Sequence, residues 1–102
     1  MPRFDIFINP NKAARHALYV DVQSDFVRVS TRWCIPLLRH AATQPIIQGA
    51  QAVIDLDQTA YILDTPNLLA VPAALLRQRA GRLASDDQLL AETCIEFMLR
   101  GY

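Results

Sequence analysis

The stretch LYVDVQSD, residues 18–25, carries the clearest fold signal in this chain. Leu18, Val20 and Val22 alternate with more polar neighbours, and a period of two is typical of a strand that directs one face inward. Ser24-Asp25 follows as a turn or bulge signal, because short polar side chains hydrogen-bond to their own backbone. The stretch therefore predicts a β-strand and the turn that ends it.

Further strand patterns lie on both sides of this stretch. Before it, Phe4, Ile6 and Ile8 show the same period of two, which predicts an earlier strand. After it, β-branched and apolar residues predict a short β-rich run from Phe26 to Val29, a strand over Arg32–Leu37, and a hairpin of Val53–Leu56 and Thr59–Leu63 about Asp57-Gln58.

Two helices are predicted in the C-terminal third. Pro72 suits the first turn of a short helix over Ala73–Ala80, which Gly81 ends. A longer final helix begins with a capping box, formed by Ser85 with Gln88. Leu90, Cys94, Phe97 and Met98 fall on one face of this helix at helical spacing. Arg100 and Gly101 are typical of its C-terminal end. Short strands followed by a terminal helix predict a mainly β fold, a small antiparallel barrel or twisted sheet with the helix packed on it.

Length and composition limit the function classes. The chain has 102 residues, 52% of them apolar and 20% charged, which predicts a single domain over residues 1–102. A formal net charge of zero argues against direct nucleic-acid binding by the protein itself and is compatible with a homodimer. No stretch approaches the roughly 20 apolar residues of a membrane span, and the first residues, which have no apolar h-region, predict no secretion signal. Two lone cysteines without a disulfide pattern favour a cytoplasmic protein with no membrane association.

Residue spacing disfavours metal and cofactor sites. His16 and His40 are far apart, as are Cys34 and Cys94, so no pair has the spacing of zinc ligands. Three scattered glycines do not make a phosphate-binding loop. Cys34 lies in an apolar run, which favours a packed, inert thiol. The sequence therefore predicts no metal, no cofactor and no catalytic residue.

One cluster leaves an enzymatic alternative open. Arg15, His16 and Asp21 lie near the start of one predicted strand, and such groups are able to bind and protonate an RNA phosphate. A polar strand end that faces water is the ordinary alternative, and it is favoured.

The last residues favour a helix end that either docks or binds a partner. Phe97, Met98 and Leu99 are apolar, and Arg100-Gly101-Tyr102 follow them. Terminal residues of a domain are usually polar and frayed, whereas arginine and tyrosine are frequent anchors in interfaces. Core packing of Phe97 and Met98 is an equally good interpretation of the pattern alone.

The order of these motifs resembles the CcdB toxins of bacterial toxin–antitoxin systems. The residues that carry the resemblance are Tyr19–Asp25, then Ile35-Pro36-Leu37, then Val71-Pro72, and finally the hydrophobic-Met-x-x-Gly-hydrophobic end of the last helix. The similarity runs over essentially the whole chain. It implies an SH3-like antiparallel barrel of the CcdB and Kid type, with a C-terminal helix, in a symmetric homodimer.

The resemblance also implies a function. CcdB toxins are not enzymes; they bind the A subunit of DNA gyrase, a topoisomerase, and trap the cleaved DNA complex. A CcdA-like antitoxin neutralises them, as in plasmid maintenance systems. The gyrase-facing positions carried over to this chain are Arg100, Gly101 and Tyr102 at the helix end, Glu96 one turn back, and Phe26 and Val27 in the loop after VDVQSD.

This sequence departs from the family pattern at its most important contact. The family usually has tryptophan at the position of Arg100, where the ring stacks on a gyrase arginine. An arginine there replaces stacking by like-charge repulsion, which Tyr102 offsets in part as an aromatic residue. The alternatives are a non-toxic homologue that retains antitoxin binding, and an endoribonuclease toxin of the same fold.

Overall fold

A computed structural model describes residues 2–102, and nearly all its regular structure is β. The strands are β1 (Asp5–Ile8), β2 (Leu18–Asp21), β3 (Thr31–Arg39), β4 (Gln51–Leu56), β5 (Thr59–Asp64), β6 (Leu69–Pro72) and β7 (Arg79–Arg82). One helix, α1 (Ser85–Arg100), follows them. Single 3₁₀ turns at Thr65–Asn67 and Ala73–Leu75 flank β6.

The strands form one antiparallel sheet that curls into a half-barrel. Its order is β4-β5-β3-β2-β1-β7, and β6 pairs separately with β3. The long strand β3 is central: its first half pairs with β6, as in Trp33↔Ala70, and its second half pairs with β5, as in Leu37↔Leu63. This sheet with its C-terminal helix confirms the mainly β, SH3-like prediction.

The β4–β5 hairpin is confirmed with the predicted turn. Leu56 pairs with Thr59 across Asp57-Gln58. Asp57 and Gln58 both have positive φ, 49° and 68°, as a two-residue turn of type I′ requires. The turn forms although its residues are not the preferred Asn-Gly or Asp-Gly.

Two hydrophobic clusters lie on the sheet, whereas the period of two in the sequence predicts that a strand directs only one face inward. The larger cluster includes Val20, Ile35, Leu63 and Ala91 of the helix. The smaller one comprises Phe7, Tyr19, Cys34, Val71 and Leu76. Strand β6 and the segment after it supply Val71 and Leu76, and they cover the face that alternation alone assigns to solvent.

Two predicted elements are wrong. Phe26–Val29 is a bent loop rather than a strand, because Val27 N–H donates to Ser24 C=O at 3.0 Å and closes a turn. Ala73–Ala80 is not a helix: only Ala73–Leu75 makes a 3₁₀ turn, and β7 begins at Arg79. Strand β7 pairs with β1, so tertiary pairing overrides the helical propensity of an alanine- and leucine-rich segment.

Helix α1 ends as predicted but begins differently. Its N-cap is Ala84, with no side-chain capping bond, so the Ser85 capping box is wrong. Gln88 Nε2 instead donates to Leu83 C=O at 2.9 Å. The buried positions of the helix are Ala91 and Cys94, whereas Leu90 and Met98 of the predicted apolar face are 40% and 46% exposed.

This N-terminus gives a stability prediction. Ala84→Ser should stabilise the protein by about 1 kcal/mol, because a hydroxyl at the N-cap accepts a bond from an orphan backbone N–H. Ser85→Ala, one residue on, should change the free energy of unfolding by less than about 0.5 kcal/mol. Urea denaturation of both variants measures this. A loss near 1 kcal/mol in Ser85→Ala would show that Ser85 caps the helix in solution.

Candidate functional site

The end of α1 presents most of the predicted site residues to solvent. Gly101 takes the left-handed conformation at φ 80°, and its N–H donates to Phe97 C=O at 2.7 Å, so it closes the helix as predicted. Tyr102 beyond it is 81% exposed. Arg100 Nε lies 3.0 Å from Glu96 Oε2, so these two predicted contacts pair with each other one helical turn apart.

A close contact fixes the position of this helix end. Gly49 precedes β4 with φ +85°, and a Cβ there would lie 2.6 Å from Phe97 Cε2. Only glycine therefore allows the Phe97 ring to seat on this backbone. The contact ties the last turn of α1 to the loop that leads into β4.

The loop after β2 exposes the other predicted residues. Phe26 is 96% exposed and Val27 is 48% exposed. The loop is nevertheless held by hydrogen bonds, since Phe26 N–H donates to Ser24 Oγ at 3.2 Å and Gln23 Nε2 donates to Val27 C=O at 2.9 Å. It therefore presents apolar side chains from a fixed backbone.

A buried ion pair lies behind this loop. The Arg32 guanidinium on β3 contacts the Asp21 carboxylate at the end of β2, with Nε 2.7 Å from Oδ2. Its Nη2 also reaches Asp25 Oδ1 at 3.3 Å. Burial raises the pKa of Asp21, and hydrogen bonds from Arg32 and from the backbone of Gln23 lower it in part. The pair thus anchors the VDVQSD segment to the neighbouring strand.

Arg3 links the loop to the helix. Its backbone N–H donates to Asp25 Oδ1 at 3.0 Å, and its Nε donates to Val22 C=O at 2.8 Å. Its Nη1 lies 3.5 Å from Glu92 Oε1 on α1. The two predicted segments are therefore joined through this N-terminal residue, which sequence reasoning missed.

An apolar groove of about 320 Å³ lies between α1 and the sheet. Its lining includes Val22, Trp33, Ile95, Met98 and Leu99. Trp33 and Leu99 are 58% and 76% exposed, so large apolar groups continue from the helix end onto β3. The apolar C-terminal residues were a signal for Met98 and Leu99, but nothing in the local pattern around Trp33 indicated its exposure.

A protein-family model described as CcdB protein matches residues 3–101. The chain belongs to the CcdB family. A search of curated protein sequences gave no match. The matched range includes both segments that the CcdB resemblance assigns to the site, apart from Tyr102.

The enzymatic cluster is not assembled in this CcdB family member. Asp21 is fully buried against Arg32, whereas Arg15 is exposed in the loop before β2. His16 Nε2 lies 3.0 Å from the Tyr19 hydroxyl instead. Arg15 and His16 do line a cleft with a different carboxylate, Asp64.

Asp64 is already engaged within its own surroundings. Its two carboxylate oxygens accept bonds from Gln51 Nε2 at 3.0 Å and Asn67 Nδ2 at 2.8 Å. The Asp64 carboxylate therefore holds the side chains of Gln51 and Asn67 in place.

The remaining candidates for chemistry are the two cysteines and possible metal ligands. Cys34 and Cys94 are free and buried, and burial, with the Asp21 carboxylate second, raises the pKa of Cys34 to about 12. Such a thiol stays protonated at neutral pH. Within residues 2–102 there is no group of three or more His, Cys, Asp or Glu side chains placed to hold a metal ion. The one α-helix of that range is too short and too polar to cross a bilayer.

Proposed function

We propose that this CcdB family member is the toxin of a type II toxin–antitoxin system and that it poisons DNA gyrase through the A subunit. The observation that carries the proposal is the family match over residues 3–101, together with the exposure of both segments that the family uses. The proposed contact residues are those of the sequence prediction: Phe26, Val27, Glu96, Arg100, Gly101 and Tyr102.

The exposed side chains suit binding rather than catalysis. Phe26 and Tyr102 project far into solvent, at 96% and 81% exposure. Phe26 N–H donates to Ser24 Oγ, and Tyr102 follows Gly101, whose N–H donates to Phe97 C=O. Exposed aromatic residues are typical anchors of protein interfaces, and less conformational entropy is lost on binding where the backbone is already held, as it is at Phe26. We propose that the toxin acts by this contact and makes or breaks no covalent bond itself.

The Arg100–Glu96 pair changes the electrostatics of the helix end. Each side chain is more than half exposed, and their mutual contact offsets the positive charge of Arg100. Like-charge repulsion with a gyrase arginine is therefore weaker than for an isolated arginine. Arg100 still offers less aromatic stacking area than the tryptophan that the family usually has at this position.

We propose a homodimer as the assembled form. Met98 and Leu99 of α1, together with Trp33 of β3, expose contiguous apolar surface around one groove. A second copy of the chain would remove this surface from water, which a two-fold contact does for both copies. A CcdA-like antitoxin is the proposed neutralising partner.

Restoring the family tryptophan should strengthen gyrase binding. Arg100→Trp should gain about 1–3 kcal/mol, on the order of one well-placed aromatic anchor. The variant loses the exposed Glu96 pair, worth about 0.5 kcal/mol or less, so the fold should hardly change. Calorimetric titration against the purified A subunit measures the gain. Weaker binding in Arg100→Trp would show that the arginine is itself an adapted contact.

Induced expression in bacteria tests the proposed function against its alternatives. Loss of viability with gyrase–DNA complexes trapped and messenger RNA intact is the expected result. Survival would favour the non-toxic homologue, and death with degraded messenger RNA would favour the endoribonuclease.

A further inference from the structure

The exposed loop after β2 extends beyond the two residues that the family resemblance assigns to gyrase. Val29 is 59% exposed, and Arg28 beside it is also exposed. The loop tip is therefore three large apolar side chains with one cation among them: Phe26, Val27, Arg28 and Val29.

Arg28 is distinguished from the neighbouring charges by its lack of a partner. Arg3 pairs with Glu92, and Arg100 pairs with Glu96. Asp25 accepts bonds from the Arg3 backbone N–H and from the Arg32 guanidinium, so its oxygens are engaged. Across residues 2–102, Arg28 makes no ion pair or hydrogen bond.

A cleft gives the unpaired guanidinium a place to meet a ligand group. It has a volume of about 500 Å³. Its lining residues are Pro2, Asp25, Arg28, Val29, Arg32 and Ala73. Because Arg32 is committed to two carboxylates, Arg28 is the cation in this cleft that is open to an incoming group.

We infer that Arg28 is a specificity-determining residue that binds a carboxylate of the protein target, while the apolar residues around it bury against that target. This inference rests on the proposed function, since the target is the gyrase A subunit. A guanidinium offers a planar fork of donors that matches a carboxylate, and it gains strength where apolar neighbours exclude water. The flanking phenylalanine and valines, with the zero net charge, favour an acidic protein surface over nucleic-acid phosphate.

Charge variants at Arg28 test this with the purified A subunit in the absence of DNA. Arg28→Glu should raise Kd by about tenfold or more, and Arg28→Gln should raise it by a smaller factor. Arg39→Glu is the matched control, because Arg39 is exposed at the opposite end of β3 and the change in net charge is the same. It should change Kd by less than about twofold. Added salt should weaken the wild-type complex more than the Arg28→Gln complex.

The outcomes separate the inference from the function on which it rests. If the wild-type chain binds the A subunit and Arg28→Glu binds it as Arg39→Glu does, the inference is wrong and the function stands. If Arg28→Glu weakens binding only when DNA is present, the cation contacts phosphate and the inference is wrong. If the wild-type chain does not bind the A subunit, both fail. Unchanged thermal unfolding of Arg28→Glu confirms that a loss of binding is not a loss of fold.

Discussion

Arg32→Met is expected to lower the free energy of unfolding by about 3–5 kcal/mol, because it leaves a buried charge without its partner. Asp21 is 0% exposed and Arg32 is 8% exposed, with 2.7 Å between the guanidinium and the carboxylate. Methionine fills much of the volume of arginine but supplies neither charge nor donors. Urea denaturation at neutral pH measures the loss.

The pH dependence of this variant separates a lost ion pair from lost packing. Burial raises the pKa of Asp21 above 3.8, and Arg32 provides part of the opposing effect, so its removal should raise that pKa further. A folded state that holds a proton more tightly than the unfolded chain loses stability as the pH rises above the unfolded pKa. The destabilisation should therefore be smaller in acid than at neutral pH.

An exposed arginine on the same strand provides the control for this experiment. Arg39→Met should change stability by less than about 0.5 kcal/mol at every pH. If the loss in Arg32→Met does not vary with pH, the ion pair is not what the substitution removes.

Removing Gly101 and Tyr102 is expected to abolish gyrase poisoning while leaving the protein folded. Both residues are exposed, and Gly101 makes one backbone bond to Phe97, so their loss frays only the last turn of α1. The Phe97 ring remains seated on Gly49, upstream of the deletion. Killing after induced expression and the unfolding midpoint of the purified variant are the two measurements.

A single substitution refines the deletion. Tyr102→Ala retains the chain length and the Gly101 cap but removes the exposed ring, so it should lose activity only in part. If the shortened protein still kills, the active surface lies elsewhere on the molecule.

The sequence predicted correctly those elements that depend on interactions between residues close together in the chain. The β4–β5 hairpin and the Gly101 cap follow from short-range chemistry, and both are confirmed. The helix predicted over Ala73–Ala80 is wrong because Arg79–Arg82 pairs with the edge of β1. The sequence of the segment itself does not indicate that pairing. The buried state of Asp21 likewise depends on Arg32, which alternation along β2 does not reveal.

The candidate site was less predictable than the fold. The resemblance named Phe26 and Tyr102, and both side chains are exposed. The resemblance did not indicate that Arg3 joins the loop to the helix. Arg3 contacts Asp25 and Glu92, which are far from it in sequence and close to it only in the folded chain. Nor did the resemblance single out Arg28, which differs from the charged residues around it because those residues form ion pairs with one another.

The most direct test of gyrase poisoning is a DNA cleavage assay with purified components. Supercoiled plasmid, gyrase and ATP are incubated with the protein, the reaction is stopped with detergent, and linear DNA linked to the A subunit is quantified. The account predicts that linear DNA accumulates with the full chain and stays at background with the chain that lacks Gly101 and Tyr102. Background levels of linear DNA with the full chain, at concentrations that kill cells on expression, would contradict it.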